Sequence, residues 1–327
     1  MGAPHMSILL TLVLIIALIV AGLALFTANT ARKVEAAVPA CGQFVDIDGQ
    51  RLHYVDTGGT GPVIVMIHGL GGTLWHFRYA LLDKLSREFR IIAVDRPGSG
   101  YSTRPDDAPA KLSAQADTLA KFIRALGLKR PLLVGHSLGG ALSLAIALDH
   151  PDCAGALALI APLTQVQDDV PEPFQGLVIN SPMMRKIIAW TLAVPMSIRN
   201  APTLLKIVFG PDAVPADYPT RGGGLLGLRP NSFYNTSSDL VAAREDVPGM
   251  MKRYGGLNIP LGMLFAKGDL ILDYRRQGEA MKQQCPPLDL VLMEDHGHML
   301  PLTAPDATAD LIRRVAARQS APRLASA

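Results

Sequence analysis

The sequence is poor in cysteine and in charge, and each shortage excludes a class of function. Three cysteines occur in 327 residues, at positions 41, 153 and 285. This odd number and wide spacing fit neither a metal-binding motif nor a disulfide framework, so we interpret them as free thiols and expect no metal site. Charged residues make up 18% of the chain, for a net charge of +3. No Lys/Arg-rich run is present, so no footprint for nucleic acid is expected.

A phosphate-binding loop is also missing. The glycine-rich stretch RGGGLLG, at 221–227, is not followed by the lysine that a P-loop requires. We interpret it as a mobile lid or hinge, and we predict no cofactor. Apolar residues make up 49% of the chain, which excludes general disorder and supplies a large core.

The N-terminal region contains a long run without any charge. Residues 1–6 (MGAPHM) look like an added leader before a natural start at Met6. Residues 8–26 are apolar and uncharged, and as a helix they span roughly 28 Å, about the thickness of the bilayer's hydrocarbon. We therefore predict a membrane anchor over 7–27, with the lipid bilayer as a partner.

Two alternatives to a retained anchor stay open. A cleaved signal peptide would normally have a basic segment before a shorter apolar run. The VPAC sequence before Cys41 is faintly like a lipoprotein cleavage box, but charged residues at 32, 33 and 35 separate it from the apolar run. Arg32 and Lys33 would place the main domain on the cytoplasmic side by the positive-inside rule. Two charges leave the side undecided.

Strand and helix patterns alternate after a predicted linker at 28–43. A hairpin is expected around Asp48-Gly49. Buried strands are expected at 62–67, 90–95, 131–136, 155–161, 259–266 and 288–293, and helical patterns at 74–86, 113–126, 138–150, 274–283 and 304–318. This alternation predicts an α/β domain with a parallel sheet, built from 44–162 and 258–327. Residues 163–257 break the rhythm and predict an inserted, mostly helical cap.

One serine lies where a buried strand would turn directly into a buried helix. The sequence GHSLG, at 135–139, matches the G-x-S-x-G pattern of a nucleophile elbow around Ser137. Such a turn strains the backbone of the serine and crowds the positions two before and two after it, so only small residues fit there. The strand–turn–helix context favours a nucleophilic serine over a simple packing turn.

Five motifs in this order resemble the α/β-hydrolase superfamily: HGLGG, DRPGSGYS, GHSLGG, FAKGD and HGHML. The resemblance extends from about residue 44 to the end of the chain, excluding the cap. It implies a mostly parallel central sheet with helices on both faces and an inserted helical cap. It also implies serine-based catalysis, as in the esterase- and lipase-like members of the superfamily.

The resemblance and the chemistry assign the same catalytic roles. A serine hydroxyl needs a base, which we predict is His298 in the loop after the last strand, with His296 as its rival. An acid should orient that imidazole, and we predict Asp269, with Asp273 in reserve. The oxyanion needs two backbone N–H donors, which we assign to Leu70 and Leu138. His68, His136, Asp95, Arg96 and Gly98 are interpreted as structural.

These assignments predict a serine hydrolase that cleaves carboxylic esters through an acyl-enzyme on Ser137. A Met- and aromatic-rich cap beside a membrane anchor suggests a hydrophobic ester as substrate. A carbon–carbon bond hydrolase of the meta-cleavage type is the alternative, although Met299 stands where those enzymes typically have tryptophan. A third hypothesis is a membrane-tethered binding protein on an inactive hydrolase fold. Ser137 itself argues against epoxide hydrolases and haloalkane dehalogenases, which usually have aspartate at the elbow.

Overall fold

The structure, a computed structural model, describes residues 3–167 and 170–321. Its centre is one eight-stranded sheet. The strands are β1 (Gln43–Ile47), β2 (Gln50–Asp56), β3 (Val63–Ile67), β4 (Arg90–Val94), β5 (Leu132–His136), β6 (Ala156–Ile160), β7 (Leu261–Ala266) and β8 (Asp289–Met293). They lie in the order β1-β2-β4-β3-β5-β6-β7-β8.

The pairing of the strands confirms the predicted, mostly parallel sheet. Strands β3 to β8 pair in parallel, and β1 and β2 add an antiparallel edge. The β1–β2 hairpin turns at Asp48 and Gly49, whose φ angles are +49° and +77°. Two positive φ angles are what a two-residue type I′ turn requires, so the Asp-Gly pair sets this hairpin.

Helices cover both faces of the sheet. They are α1 (Ala3–Ala37), α2 (Trp75–Arg78), α3 (Leu81–Leu85), α4 (Leu112–Ala125), α5 (Leu138–Asp149), α6 (Pro182–Trp190), α7 (Ala193–Phe209), α8 (Pro230–Met251), α9 (Ala280–Gln284), α10 (Leu300–Thr303) and α11 (Pro305–Ser320). Helix α4 packs on α5, and α3 packs on α11. Between β6 and β7, the described residues form helices and turns and no strand.

One predicted helix is broken in the structure. The pattern at 74–86 becomes α2 and α3, because Ala80 leaves helical geometry at φ −145°. The break allows both short helices to bury apolar side chains, with Phe77 on the first and Leu81 and Leu85 on the second all fully buried. Tertiary packing therefore overrides local periodicity here.

The segment predicted as a linker also differs from expectation. Residues 28–37 continue α1, and the helix ends just before Pro39. No glycine or proline interrupts this stretch, so nothing local stops the helix. Val34 and Val38 are buried in a small cluster with Leu226. The end of α1 is thus fixed to the body of the protein rather than separated from it by a flexible tether.

Helix α1 is long and apolar enough to cross a membrane. Within its candidate span, His5–Ala37, an 18-residue window has a mean hydropathy of 3.2, and none of that window is buried by the rest of the described chain. An N-terminal signal sequence has the same properties. The helix is therefore compatible with the predicted anchor and with a signal.

Candidate active site

Ser137 occupies the tight turn between β5 and α5. Its φ and ψ angles are +55° and −120°, a strained conformation for a residue with a side chain. A Cβ at Gly135 would lie 2.4 Å from the Gly139 carbonyl oxygen, and one at Gly139 would lie 2.0 Å from the Ile67 carbonyl oxygen. Both positions must therefore be glycine for the strand and helix to meet at this angle. The half-buried Ser137 side chain stands at the carboxyl end of the sheet.

The structure brings Asp269 and His298 together from two neighbouring strand ends. The Nδ1 atom of His298 lies 2.7 Å from Oδ2 of Asp269, and both side chains are nearly inaccessible to solvent. The other carboxylate oxygen of Asp269 accepts hydrogen bonds from the backbone N–H groups of Ile271 (2.7 Å) and Leu272 (3.0 Å). The turn after β7 therefore holds the carboxylate in place, and the carboxylate holds the imidazole.

The two rival residues have other partners. Asp273 is exposed and accepts a hydrogen bond from the backbone N–H of Arg275 at 2.9 Å. His296 pairs through Nδ1 with Asp212 at 2.9 Å. Asp212 also accepts a hydrogen bond from the Gly297 N–H at 2.9 Å. The Asp212 carboxylate thus binds the two residues that precede His298. No motif in the sequence indicated this contact.

His136 joins the serine turn to the loop of the candidate base His298, residues 294–298, which we call the base loop. Its Nε2 lies 2.9 Å from the carbonyl oxygen of His298, and the two rings have centroids 5.0 Å apart. Burial, followed by the positive charge that His298 can carry, holds the pKa of His136 well below its usual range. The ring is therefore neutral and donates its proton to that carbonyl. Within the described residues, the Ser137 hydroxyl makes no hydrogen bond to His298.

Within residues 3–167 and 170–321, the backbone N–H groups of Leu70 and Leu138 make no hydrogen bond. Leu138 begins α5, so its N–H is one of the unpaired donors at a helix N-terminus. Leu70 follows Gly69, where a Cβ would lie 2.8 Å from the Cβ of Ser137. The glycine allows the loop after β3 to approach the serine closely. This arrangement can offer two donors to a negative oxygen.

Buried charges hold the loop that contains Leu70. Arg96 is fully buried and donates from Nη2 to the Gly69 carbonyl oxygen at 3.2 Å. It also donates from Nη1 to Asp239 on α8 at 2.7 Å. Arg104 binds the other oxygen of Asp239 at 2.6 Å. The DRPG turn is thus tied both to the serine side of the sheet and to the insertion.

The neighbouring Asp95 has only structural partners. Its carboxylate accepts hydrogen bonds from the backbone N–H groups of Leu74 (2.8 Å) and Tyr101 (2.9 Å) and pairs with His53 at 2.7 Å. Burial opposes a charge on His53, but the bonds to Asp95 and to the Cys41 carbonyl oxygen dominate and raise the pKa of His53 to about 9. This pair fastens β2 to the turn after β4.

A surface cavity of about 500 Å³ opens beside the Asp269 turn. Its lining includes Asp269, Leu270, Ile271 and Tyr274, whereas Ser137 and His298 do not line it. It therefore lies on the outer side of the acid and not where a group bonded to Ser137 would sit. In the described part of the chain, no three His, Cys, Asp or Glu side chains are grouped so that they could hold a metal ion.

Two curated relatives match part of the chain. The acetyltransferase component of the acetoin cleaving system of Cupriavidus necator is 36% identical over 138 residues, which are 42% of this chain and 35% of that protein. The 2-hydroxymuconate semialdehyde hydrolase of a Pseudomonas species is 34% identical over 140 residues, which are 40% of this chain and 49% of that protein. The chain thus spans between a third and a half of the length of these relatives.

A solved structure and a family profile match far more of the chain than these relatives do. A bacterial membrane phospholipase A has a similar structure, with a TM-score of 0.64 and 24% identity over 96% of this chain and 99% of that one. At that identity the likeness concerns the fold. The sequence profile of the Alpha/beta hydrolase family matches residues 64–311, which include the serine turn, the acid and both candidate histidines. The chain belongs to the alpha/beta hydrolase family.

Proposed function

We propose that this protein is a serine hydrolase that cleaves carboxylic esters. The observation that carries the proposal is the buried Asp269–His298 pair, 2.7 Å apart, beside a strained serine at the β5–α5 turn. A carboxylate that accepts the Nδ1 proton leaves Nε2 as the basic nitrogen of the imidazole. Each of the three side chains therefore has a role that its surroundings support.

In the proposed reaction, His298 Nε2 takes the proton of Ser137 as Oγ attacks the ester carbonyl carbon. The carbonyl oxygen becomes an oxyanion, which the N–H groups of Leu70 and Leu138 stabilise. His298 then gives its proton to the departing alcohol, and an acyl-enzyme remains on Ser137. Water, deprotonated by the same imidazole, releases the acid. The Ser137–His298 hydrogen bond forms on substrate binding, as is common for sites that are loose when empty.

A fluorophosphonate probe should label Ser137. The serine oxygen displaces fluoride at phosphorus, as it would attack an ester carbonyl, and the adduct does not hydrolyse readily. Peptide mass spectrometry of the labelled protein locates the adduct, and the Ser137→Ala variant serves as the unlabelled control. An adduct on another residue would remove Ser137 as the nucleophile. Complete inertness would favour the inactive, membrane-tethered binding protein.

We further propose a hydrophobic acyl ester as substrate and residues 8–26 as a single-pass membrane anchor. The first follows from the methionines and aromatics of residues 163–257, and the second from the exposed apolar α1. Rates on p-nitrophenyl esters of increasing chain length, with and without detergent, test the substrate. A long-chain preference is expected, and a short-chain optimum would contradict it.

A carbon–carbon bond hydrolase is the second candidate. It is favoured by the 34% identity to the 2-hydroxymuconate semialdehyde hydrolase. Met299, in place of the tryptophan that follows the base in such enzymes, disfavours it. Turnover of a dienoate substrate faster than any p-nitrophenyl ester would decide for this candidate.

We propose Asp212 as a positioning residue for the base loop. Both of its carboxylate oxygens bind that loop, at His296 and Gly297. Asp212→Ala removes both carboxylate oxygens and should allow the His298 imidazole to move away from its position. The expected loss in kcat is about 10-fold, since misplacing a catalytic group by about 1 Å can lower the rate up to about 100-fold. Because Asp212 binds only His296 and Gly297 and neither Ser137 nor the two proposed oxyanion donors, KM should change little.

The matched control for Asp212→Ala is Asp217→Ala in the same segment, which loses bonds to Tyr79 and Arg221 but none to the base loop. Its kcat should stay within about twofold of the parent protein. The pH profile of kcat/KM adds a readout that a merely structural change would not move. If Asp212→Ala keeps the parent's kcat and pH profile, Asp212 has no positioning role.

A further inference from the structure

The outer surface of α6 and the start of α7 is apolar. In the described part of the chain outside α1, the large apolar side chains that stay exposed are Phe44, Leu270 and a group of eight within residues 178–198. We call this group the cap patch; it consists of Val178, Met183, Met184, Ile187, Trp190, Leu192, Met196 and Ile198. An apolar patch this concentrated on a surface is typical of an interaction site.

Helix α6 is oriented opposite to an ordinary surface helix. Its exposed face carries Met183, Ile187 and Trp190, at spacings of four and three residues that bring them onto one side. Its buried face includes Arg185, which is 6% exposed and donates hydrogen bonds to Ser237 and Ser238 on α8. A helix packed on a water-soluble body normally turns its apolar stripe inward. The outward stripe of α6 therefore favours an apolar partner on this side of the protein.

Helix α1 meets the cap patch where its own apolar run ends. Helix α1 packs against both α6 and α7. The run is exposed up to Gly22; beyond it Leu23 and Ala24 are half-buried and Thr27 is fully buried, whereas Leu25 and Phe26 remain exposed. The charged pair Arg32 and Lys33 comes one turn later. A membrane that holds residues 8–26 would therefore have its surface at the level of α6 and α7.

We propose that the cap patch docks into the surface of the same bilayer that holds α1. Its side chains would reach the boundary between headgroups and acyl chains, as interfacial helices do. This inference rests on the proposed membrane anchor. A bilayer is favoured over a second copy of this chain as the partner of the cap patch. A bilayer that holds α1 already contacts the patch, whereas a second copy would have to insert between the patch and the bilayer.

Tryptophan fluorescence can test the docking in the full chain. The sequence has two tryptophans, Trp75 and Trp190, and α1 contains neither, so insertion of α1 alone gives no signal. The protein would be placed in nanodiscs of phosphatidylcholine with or without bromine on the acyl chains. Subtracting the Trp190→Phe variant isolates Trp190, whose emission should fall to about half or less in brominated discs if it lies at the acyl boundary.

Charge variants sharpen the test. Met183→Glu and Met196→Glu, each alone, should restore much of the Trp190 emission, whereas Gln283→Glu, at an exposed position of α9, adds the same single charge elsewhere and should not. Equal Trp190 emission in brominated and unbrominated discs overturns docking. The readout needs no turnover, so a failure of docking with ester cleavage intact is distinct from a failure of the proposed function.

Discussion

Replacing Ser137 with alanine is expected to lower kcat/KM for a p-nitrophenyl ester by about 10⁶-fold. The hydroxyl is the only proposed nucleophile, and what remains would come from the oxyanion donors and substrate binding. The side chain makes no hydrogen bond in the described structure, so its loss removes no hydrogen bond from the fold. The melting temperature of the variant should therefore match that of the parent protein. Steady-state kinetics and a thermal melt together check both expectations.

Double variants show whether the three side chains act as a unit. His298→Ala alone should cost nearly as much as Ser137→Ala, because an unactivated hydroxyl attacks slowly. The combination of the two should be no slower than Ser137→Ala alone, since each removes the same pathway. Additive losses would mean that His298 acts apart from Ser137. Full turnover in Ser137→Ala would end the acyl-enzyme proposal.

The parallel part of the sheet was predictable because each of its strands contains a short, continuous apolar run. The strand predicted at 131–136 became Leu132–His136, and the one at 90–95 became Arg90–Val94. The serine turn was predictable for a related reason, since Gly135 and Gly139 lie within two residues of Ser137. Local chemistry fixes local geometry in both cases. The proposed acid and base lie in the loops after β7 and β8, and the resemblance to the hydrolase motifs indicated both of them.

Contacts between distant segments could not be predicted. Asp212 lies 84 residues from His296, and Asp239 lies 143 residues from Arg96. Neither aspartate belongs to a motif, and each could equally have been a solvated surface carboxylate. Whether such a carboxylate becomes buried depends on how residues 163–257 pack on the sheet, and no local sequence pattern predicts that packing. The continuation of α1 through 28–37 is similar, because Val34 and Val38 become buried only against Leu226.

Asp239→Ala is expected to destabilise the fold by about 3–5 kcal/mol, the range for breaking a buried ion pair by removing one partner. Arg96 and Arg104, whose side chains are 0% and 3% exposed, both depend on this carboxylate. Without it, two buried guanidinium groups lose their counter-charge. The matched control is Glu245→Ala on the same helix, whose half-exposed pair with Lys111 should contribute less than about 1 kcal/mol. Urea denaturation of the two variants measures the difference. Equal midpoints would mean that water or Gln115 replaces the carboxylate, and that Arg96 holds the Gly69 carbonyl without help from α8.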